Sequence, residues 1–207
     1  MGGIVVVSGP SGVGKGTLIA ALRRRMENVR VTISDTTRSP RSGEIDGVNY
    51  NFISIPEFKR RIDTDHYVEW EYFFETYYGT PKPELENIKS DDFVVLELDP
   101  KGALSIKRSH QYATLLFILP GSIEQLNRQL AMRGTETTAE RAVRTARLIE
   151  ELDLAKQFDF AMVNRELDMA IDDFCSIFSF LRFGTANQHD FIAELRKKAG
   201  DALNGLY

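Results

Sequence analysis

The chain has 207 residues, of which 43% are hydrophobic and 27% are charged, as in an ordinary soluble globular protein. Its 26 basic and 30 acidic residues give a net charge of −4, which argues against general binding to nucleic acid or to an anionic membrane. A single cysteine, Cys175, excludes an internal disulfide framework, and no segment has the character of a signal peptide or a membrane span. We therefore expect a cytoplasmic protein of one domain or two small ones, with Cys175 as a buried structural thiol.

Short apolar runs alternate along the chain with segments of helical periodicity. The apolar runs that predict strands are residues 4–7, 29–33, 93–98, 114–119 and 160–163. The periodic segments that predict helices are residues 17–26, 81–88, 103–107, 123–132, 139–157 and 169–183. Alternation of this kind predicts a largely parallel sheet covered by helices on both faces, which is a three-layer α/β/α fold.

Three segments depart from this rhythm. Residues 36–78 combine a polar loop, an alternating run, a short helix and an aromatic cluster, which predicts a small inserted subdomain with its own short strands. Residues 133–137 form a polar piece between two predicted helices and have the size of a mobile lid. Residues 190–206 carry apolar side chains near helical spacing, which predicts a terminal helix that packs on the core or on a second subunit.

A glycine-rich stretch directly follows the first predicted strand and opens the first predicted helix. It has the spacing G-x-x-x-x-G-K of a loop whose backbone N–H groups converge on phosphate oxygens, and its lysine adds a charged donor at the β- and γ-phosphates. The pattern therefore predicts binding of a nucleoside triphosphate or another polyphosphate. Its residues are Gly9, Pro10, Ser11, Gly12, Val13, Gly14, Lys15, Gly16 and Thr17.

The position after the lysine departs from the full motif, which has serine or threonine there to place a hydroxyl on Mg²⁺. In this chain the position is Gly16, and the hydroxyl comes one residue later, on Thr17. Two arrangements remain open at this point. Either phosphates, waters and a carboxylate elsewhere hold the Mg²⁺ ion, or Thr17 reaches it by an altered geometry.

Two arginines, Arg38 and Arg41, lie in a loop that Pro40 and Gly43 brace. Paired guanidinium groups suit a phosphate monoester, because each can donate two hydrogen bonds to its oxygens. Taken alone, the pair is more typical of solvated surface arginines. The residues that follow it along the chain favour the phosphate site.

Together these features resemble the guanylate kinase family. The matching segments appear in family order over roughly residues 3–183; they are 9–17, 34–44, 46–47, 50–52, 68–70, 77–80, 97–99 with Gly102, and 133–136. The resemblance implies a P-loop NTPase-type fold with a core at 3–34 and 92–184, a mixed GMP-binding subdomain at about 35–81 and a lid at about 133–145. The C-terminal helical tail, residues 185–207, has no clear counterpart in the family.

The resemblance also implies an enzyme that transfers a phosphoryl group in line from ATP to GMP or dGMP, with Mg²⁺ as cofactor. Arginine and tyrosine side chains would bind the GMP phosphate, and two hydroxyls would donate to guanine O6. Glu69 would accept the two adjacent donors of guanine, N1–H and the 2-amino group, which adenine lacks. The residues assigned to GMP in this way are Ser34, Arg38, Arg41, Glu44, Tyr50, Glu69, Tyr78, Thr80 and Asp99.

The transferring phosphoryl group is assigned to lid arginines. By the resemblance, Arg133 and Arg144 reach this group and act together with Lys15 and Arg38 as the catalytic set. Arg141 and Arg147 lie on the same predicted helix as Arg144, and we expect them to be solvated.

Three further residues receive roles at the nucleotide sites. Asp99 and Glu97 end a strand whose carboxyl edge faces the expected ligand crevice. Asp99 is the stronger candidate for orienting the waters of Mg²⁺ or the arginines of the GMP site, and Glu97 is the weaker one. Asn164 lies where members of the family approach the adenine of ATP.

Two other functions stay open at this stage. A non-catalytic guanylate-kinase-like module that binds phosphoproteins would share the fold, but the intact Gly14-Lys15 pair and the lid arginines argue against it. A kinase for another nucleoside monophosphate would share the chemistry, and Glu69 with Ser34 argues for guanine instead. The expected partners are therefore ATP and GMP or dGMP, without nucleic acid or membrane, in a monomer or a homo-oligomer.

Overall fold

The computed structural model describes residues 3–41, 43–73, 75–86, 88, 92–131, 138–184 and 188–204. Its strands are β1 (Gly3–Ser8), β2 (Val29–Val31), β3 (Asp35–Thr36), β4 (Asn51–Phe52), β5 (Tyr67–Phe73), β6 (Thr76–Pro81), β7 (Phe93–Glu97), β8 (Thr114–Pro120) and β9 (Phe160–Asn164). Its α-helices are α1 (Lys15–Arg25), α2 (Ile55–Asp63), α3 (Pro100–Ser109), α4 (Ile123–Ala131), α5 (Thr138–Ala155), α6 (Leu167–Leu181) and α7 (His189–Asn204).

The central sheet has five strands in the order β2-β7-β1-β8-β9, and every neighbouring pair is parallel. Along β1, Val5 and Val7 point to one face and Val6 points to the other. The first face packs against α1 and α6, and the second packs against α3. Because both faces are covered, the strands are continuous apolar runs, as the sequence predicted for a three-layer α/β/α fold.

A second, mixed sheet is inserted between β2 and β7, with the order β4-β3-β6-β5. Its strands β3 and β4 are parallel, whereas β6 is antiparallel to both β3 and β5. Helix α2 packs on this sheet through Phe58, which is fully buried and stacks on Tyr67 and Tyr77 at ring distances of 4.5 and 5.1 Å. This small inserted sheet is the subdomain that the irregular segment predicted.

Three sequence-based expectations about secondary structure and burial were wrong in part. The helix predicted at 81–88 is only a 3₁₀ turn at Lys82–Leu85, because β6 continues through Pro81 and Pro83 has no N–H to donate. The thiol of Cys175 is partly buried rather than buried, although it packs against the core. Strand β2 ends at Val31, two residues earlier than predicted.

The tail forms the predicted helix, α7, but that helix does not bury its apolar side chains on the core. Phe191, Leu195 and Leu203 are each more than half exposed. Within the described residues, none of the helices is long and apolar enough to cross a membrane.

Candidate active site

The phosphate loop lies between β1 and α1, and two of its glycines allow the backbone to pass through a narrow space. Gly9 has a φ of 140°, and a Cβ there would come within 2.4 Å of the carbonyl oxygen of Ile118 on β8. Gly14 has a φ of 97°, and a Cβ there would come within 2.7 Å of the side-chain amide of Asn164. Both positions therefore exclude other residues by contact as well as by conformation.

Lys15 begins α1 and folds back over the loop. Its ammonium donates hydrogen bonds to the carbonyl oxygens of Gly9 at 2.7 Å and Pro10 at 3.3 Å. The N-cap, Gly14, has no side chain to occupy the first N–H groups of the helix, and the first turn of α1 carries no acidic residue. The helix N-terminus, the loop N–H groups and one ammonium thus present positive charge in one place, which suits a polyphosphate.

Asn164, at the end of β9, stabilises the phosphate loop by a side-chain hydrogen bond. Its side chain is 4% exposed, and its amide nitrogen donates to the carbonyl oxygen of Val13 at 2.8 Å. Because this donor is already engaged on the loop, the residue acts first on loop geometry. Its contact with adenine stays a prediction.

Glu97, at the end of β7, faces the phosphate loop. A Cβ at Gly16 would lie 3.6 Å from Glu97 Oε2, so the carboxylate stands beside the position where the full motif has a hydroxyl. Thr17, the alternative source of that hydroxyl, is exposed. Within the described residues, no group of three or more His, Cys, Asp or Glu side chains could hold a metal ion. This donor set fits Mg²⁺ that is held mainly by phosphates and waters, with one carboxylate nearby.

Asp99 is engaged away from the phosphate loop. It caps the N-terminus of α3, where its Oδ1 accepts a hydrogen bond from the Gly102 N–H at 2.7 Å. Its Oδ2 accepts one from Arg147 Nη2 at 3.4 Å. Of the two carboxylates, Glu97 therefore lies nearer to the phosphate loop than Asp99 does. The sequence had indicated Asp99 as the stronger candidate for orienting the waters of Mg²⁺.

Arg38 forms a bidentate ion pair with Glu44. The guanidinium donates to both carboxylate oxygens, at 2.5 and 2.7 Å, and this interaction lowers the pKa of Glu44 to about 2. The same group lies over the rings of Tyr50 and Phe52, at 5.0 and 5.6 Å from their centroids. Arg38 Nε is buried and has no hydrogen-bond partner among the described residues.

The other residues predicted to bind the GMP phosphate surround this ion pair. The backbone N–H of Arg41 donates to Glu44 Oε2 at 2.8 Å, so one carboxylate ties both arginines together, while the side chain of Arg41 is exposed. The rings of Tyr50 and Tyr78 meet edge to face at 6.1 Å. Burial raises the pKa of Tyr50 to about 12, and the charge of Glu97 adds to this shift. Tyr50 therefore keeps its proton and remains a hydrogen-bond donor near neutral pH.

The residues assigned to guanine also lie together. The Thr80 hydroxyl donates to Glu69 Oε1 at 2.7 Å, and the Ser34 hydroxyl lies 3.4 Å from that of Thr80. Burial raises the pKa of Glu69 to about 7; the Thr80 hydrogen bond opposes the shift, and the charge of Asp99 adds to it. This carboxyl group can thus change its protonation state near neutral pH.

Two charged residues near Glu69 were not assigned to the site by the sequence. Glu71 has a pKa raised to about 7, first by burial and then by the charge and hydrogen bond of Asp99. Its position two residues after Glu69 on a strand places both side chains on one face, which is a signal the sequence did carry. Arg147, expected in solvent, is only 26% exposed and pairs with Asp99 and Glu151. Helical periodicity could not show that this face of α5 packs on α3.

Asp35 forms a buried polar centre in the second sheet that the sequence analysis also missed. Its side chain is fully buried and accepts hydrogen bonds from Asn51 at 2.9 Å, Arg61 at 2.6 Å and Tyr67 at 2.8 Å. Asp35 lies on β3, Asn51 on β4, Arg61 on α2 and Tyr67 on β5, so the network joins three strands of the second sheet to α2. No local pattern around Asp35 predicts it.

The predicted lid arginines cannot be placed. Arg133 lies outside the described residues. Arg141 and Arg144 belong to α5, but their side chains also lie outside the described part of the chain. Their roles stay predictions.

Comparison with known proteins gives a consistent answer. The family model described as guanylate kinase matches residues 1–180. A curated guanylate kinase of Caldanaerobacter subterraneus subsp. tengcongensis is 38% identical over 197 residues, which are 95% of this chain and 96% of that protein. A curated guanylate kinase of Gloeobacter violaceus is 45% identical over 82% of this chain and 83% of its own length. The crystal structure of guanylate kinase from Anaplasma phagocytophilum superimposes with a TM-score of 0.75 at 27% identity, covering 90% of this chain and 89% of that one.

Proposed function

The chain belongs to the guanylate kinase family and is an ATP:GMP phosphotransferase, and we propose that ATP binds at the phosphate loop and GMP at the second sheet. The position of Glu97 carries this assignment. Its carboxylate stands beside Gly16 of the phosphate loop, and its charge acts on Tyr50 of the GMP site. We therefore infer that the two sites lie close to each other near Glu97.

On the donor side, Lys15 and the loop N–H groups hold the β- and γ-phosphates of ATP. Mg²⁺, when bound, neutralises charge on these phosphates. Glu97 is the residue of this chain that would face the ion, since it lies beside Gly16. Asn164 fixes the loop through its hydrogen bond to Val13 and so sets the direction of the N–H groups.

On the acceptor side, the guanidinium groups of Arg38 and Arg41 bind the GMP phosphate, and the hydroxyls of Tyr50 and Tyr78 donate to it. Catalysis consists mainly of aligning an oxygen of this phosphate with the γ-phosphorus of ATP and of stabilising charge. No general base is required, because a phosphate monoester with a second pKa of about 6 is already anionic at neutral pH. Glu44 keeps Arg38 oriented while the site is open.

Guanine is recognised by Glu69, with Thr80, Ser34 and Asp99 around it. An ionised carboxylate can accept both N1–H and the 2-amino group. Adenine offers neither donor, so AMP would leave the partly buried carboxylate unpaired, at a cost of about 1–3 kcal/mol. This cost favours GMP and dGMP over AMP.

The remaining assignments follow from the family. The core comprises 3–34 and 92–184, the GMP-binding region about 35–81 and the lid about 133–145, whose Arg133 and Arg144 would neutralise charge on the transferring group. Closure of a lid would also exclude water and so limit ATP hydrolysis. The single cysteine and the net charge of −4 support a cytoplasmic enzyme that does not bind nucleic acid.

The direct test is ADP production from Mg-ATP with GMP, dGMP, AMP, UMP and CMP in turn, in a coupled assay. We expect turnover with GMP and dGMP only. Glu69→Gln should reduce the preference for GMP over AMP by about tenfold or more, because an amide has a single acceptor oxygen beside an NH₂ donor and cannot accept both guanine donors as a carboxylate does. The matched control is Glu194→Gln, an exposed carboxylate on α7.

Three results would contradict parts of this assignment. Turnover of another monophosphate by the wild-type protein would overturn the base specificity. Folded protein that binds GMP without turning it over would favour the non-catalytic module. Unchanged discrimination in Glu69→Gln would show that the base is read elsewhere.

A further inference from the structure

Three carboxyl groups share one small region at the start of α3. Glu69 and Glu71 project from the same face of β5, and Asp99 approaches them from the end of β7. A Cβ at Gly102 would lie 3.0 Å from Asp99 Oδ1 and 3.1 Å from Glu69 Oε2, which shows how closely the groups converge. Such a concentration of acidic groups is stabilised by a nearby cation.

Arg147 supplies that cation from a different part of the chain. It lies on α5, beyond the predicted lid segment, and its Nη2 donates to Asp99 Oδ2 at 3.4 Å. Its Nε donates to Glu151 Oε1, one turn further along α5, at 2.7 Å, which fixes the direction of the guanidinium. The side chain of Arg147 is 26% exposed and that of Asp99 is 21% exposed, so solvent screens their pairing less than it would a surface pair.

Asp99 is thereby held from two sides. Its other oxygen accepts the N–H of Gly102 at the beginning of α3, so the carboxylate is fixed between α3 and α5. The two helices pack against each other, and α3 also packs on β5, which carries Glu69. A shift of Arg147 would therefore be passed to the carboxylates at the guanine site through Asp99.

We propose that Arg147 is a positioning residue for GMP recognition, which holds Asp99 in place beside Glu69 and so links α5 to the guanine site. The inference rests on the proposed role of Glu69 and Asp99 in binding guanine. It adds a residue that acts on the guanine site through its contact with Asp99.

Loss of Arg147 should loosen Asp99 beside the guanine site. Asp99 would keep its hydrogen bond from the Gly102 N–H but would lose the contact that holds its second oxygen toward α5. GMP binding should therefore weaken, whereas ATP binding at the phosphate loop should change little.

The experiment compares wild type with Arg147→Met, which removes the charge, and Arg147→Lys, which keeps it without the planar fork. KM for GMP, KM for ATP and kcat are measured at pH 7. We expect Arg147→Met to raise KM for GMP by about five- to thirtyfold, with kcat and KM for ATP within about threefold of wild type. Arg147→Lys should restore part of the loss in KM for GMP.

Lys156→Met is the matched control, since Lys156 directly follows α5, is 78% exposed and pairs with Asp153 at the surface. It should leave every parameter unchanged. Equal increases in both KM values, a lower kcat with normal KM for GMP, or no rescue by Arg147→Lys would overturn the inference. If thermal unfolding shows that Arg147→Met is not folded, the same measurements on Arg147→Lys decide the question.

The two proposals can fail separately. A wild-type protein without GMP turnover would remove the proposed site and this inference with it. A wild-type protein that phosphorylates GMP, together with an Arg147→Met variant of identical kinetics, would remove the inference alone.

Discussion

The phosphate loop and the second sheet are built by different means. In the loop, contacts are made by the backbone: Gly9 packs against the backbone of β8, Gly14 packs against Asn164, and Lys15 alone adds a charge. In the second sheet, contacts are made by charged side chains, such as the Arg38–Glu44 pair. The loop thus depends on the absence of side chains, and the second sheet depends on their ionisation.

This difference predicts which site responds to pH and which responds to an added side chain. Backbone N–H groups do not titrate, so the geometry of the loop should change little with pH and strongly with any added Cβ. The carboxyl groups of Glu69 and Glu71 have pKa values near 7, so the second sheet should change with pH where the loop does not. The following three predictions test this contrast, from the largest expected effect to the smallest.

Lys15→Ala removes the one charged side chain of the loop. We expect kcat/KM to fall by about a thousandfold, or about 4 kcal/mol, since no other side chain of the loop can neutralise the β- and γ-phosphates. Thermal unfolding should change much less than turnover, because Lys15 is only partly buried and its hydrogen bonds to the Gly9 and Pro10 carbonyls contribute little to stability. A coupled assay with Lys156→Ala as the control measures the effect, and near-normal turnover would remove Lys15 from the mechanism.

Asp35→Asn tests whether the second sheet depends on a buried charge. The change leaves Arg61 and Tyr67 without their acceptor, at an expected cost of about 2–4 kcal/mol in the free energy of unfolding. Urea denaturation measures this cost, and KM for GMP should rise more than KM for ATP. Asp153→Asn, which breaks a surface pair with Lys156, is the control and should cost less than about 1 kcal/mol. Equal stability of the two variants would show that the network around Asp35 is not a stabilising centre.

The pH dependence of kcat/KM for GMP tests the smallest effect. Glu69 must be ionised to accept both donors of guanine, so kcat/KM should rise with pH through about 7, by up to tenfold per pH unit below that value. The pKa of Glu69 in the folded protein lies above its ordinary value. Its contribution to stability is therefore fully present below that ordinary value and is lost as the pH rises through about 7.

Stability and GMP affinity should thus respond to this group in opposite directions. In Glu69→Gln the rise of kcat/KM for GMP with pH near 7 should weaken. The rise near pH 6, which comes from ionisation of the GMP phosphate itself, should remain. KM for ATP provides the internal control, since the loop carries no group that titrates in this range. If the kinetic parameters for ATP and for GMP changed with pH in the same way, the contrast between the two regions would be contradicted.

The loop and the parallel sheet were predictable because their signals are local. A β-branched strand, three glycines and a lysine at fixed spacing specify a backbone path that needs few partners from elsewhere. The lysine, the glycines and the apolar runs of β1 and β7 lie where the sequence placed them. The resemblance to the family also brought Ser34, Glu69 and Thr80 together before their contacts were known.

The side-chain networks were not predictable, because their partners lie far apart along the chain. Asp35 meets Arg61 and Tyr67 only when the second sheet has formed. Arg147 looked like a solvated helical residue, and it pairs with Asp99 only because α5 packs on α3.

The sequence by itself therefore determined the order of elements, the phosphate loop and the chemistry of the residues available for GMP. These follow from glycine conformations, apolar periodicity and residue types, which are all local properties. The tertiary structure alone decided which charges meet, which carboxylate faces the phosphate loop and which pKa values shift. Those outcomes depend on burial and on distances between side chains from separate elements, because electrostatic interactions strengthen when water is excluded.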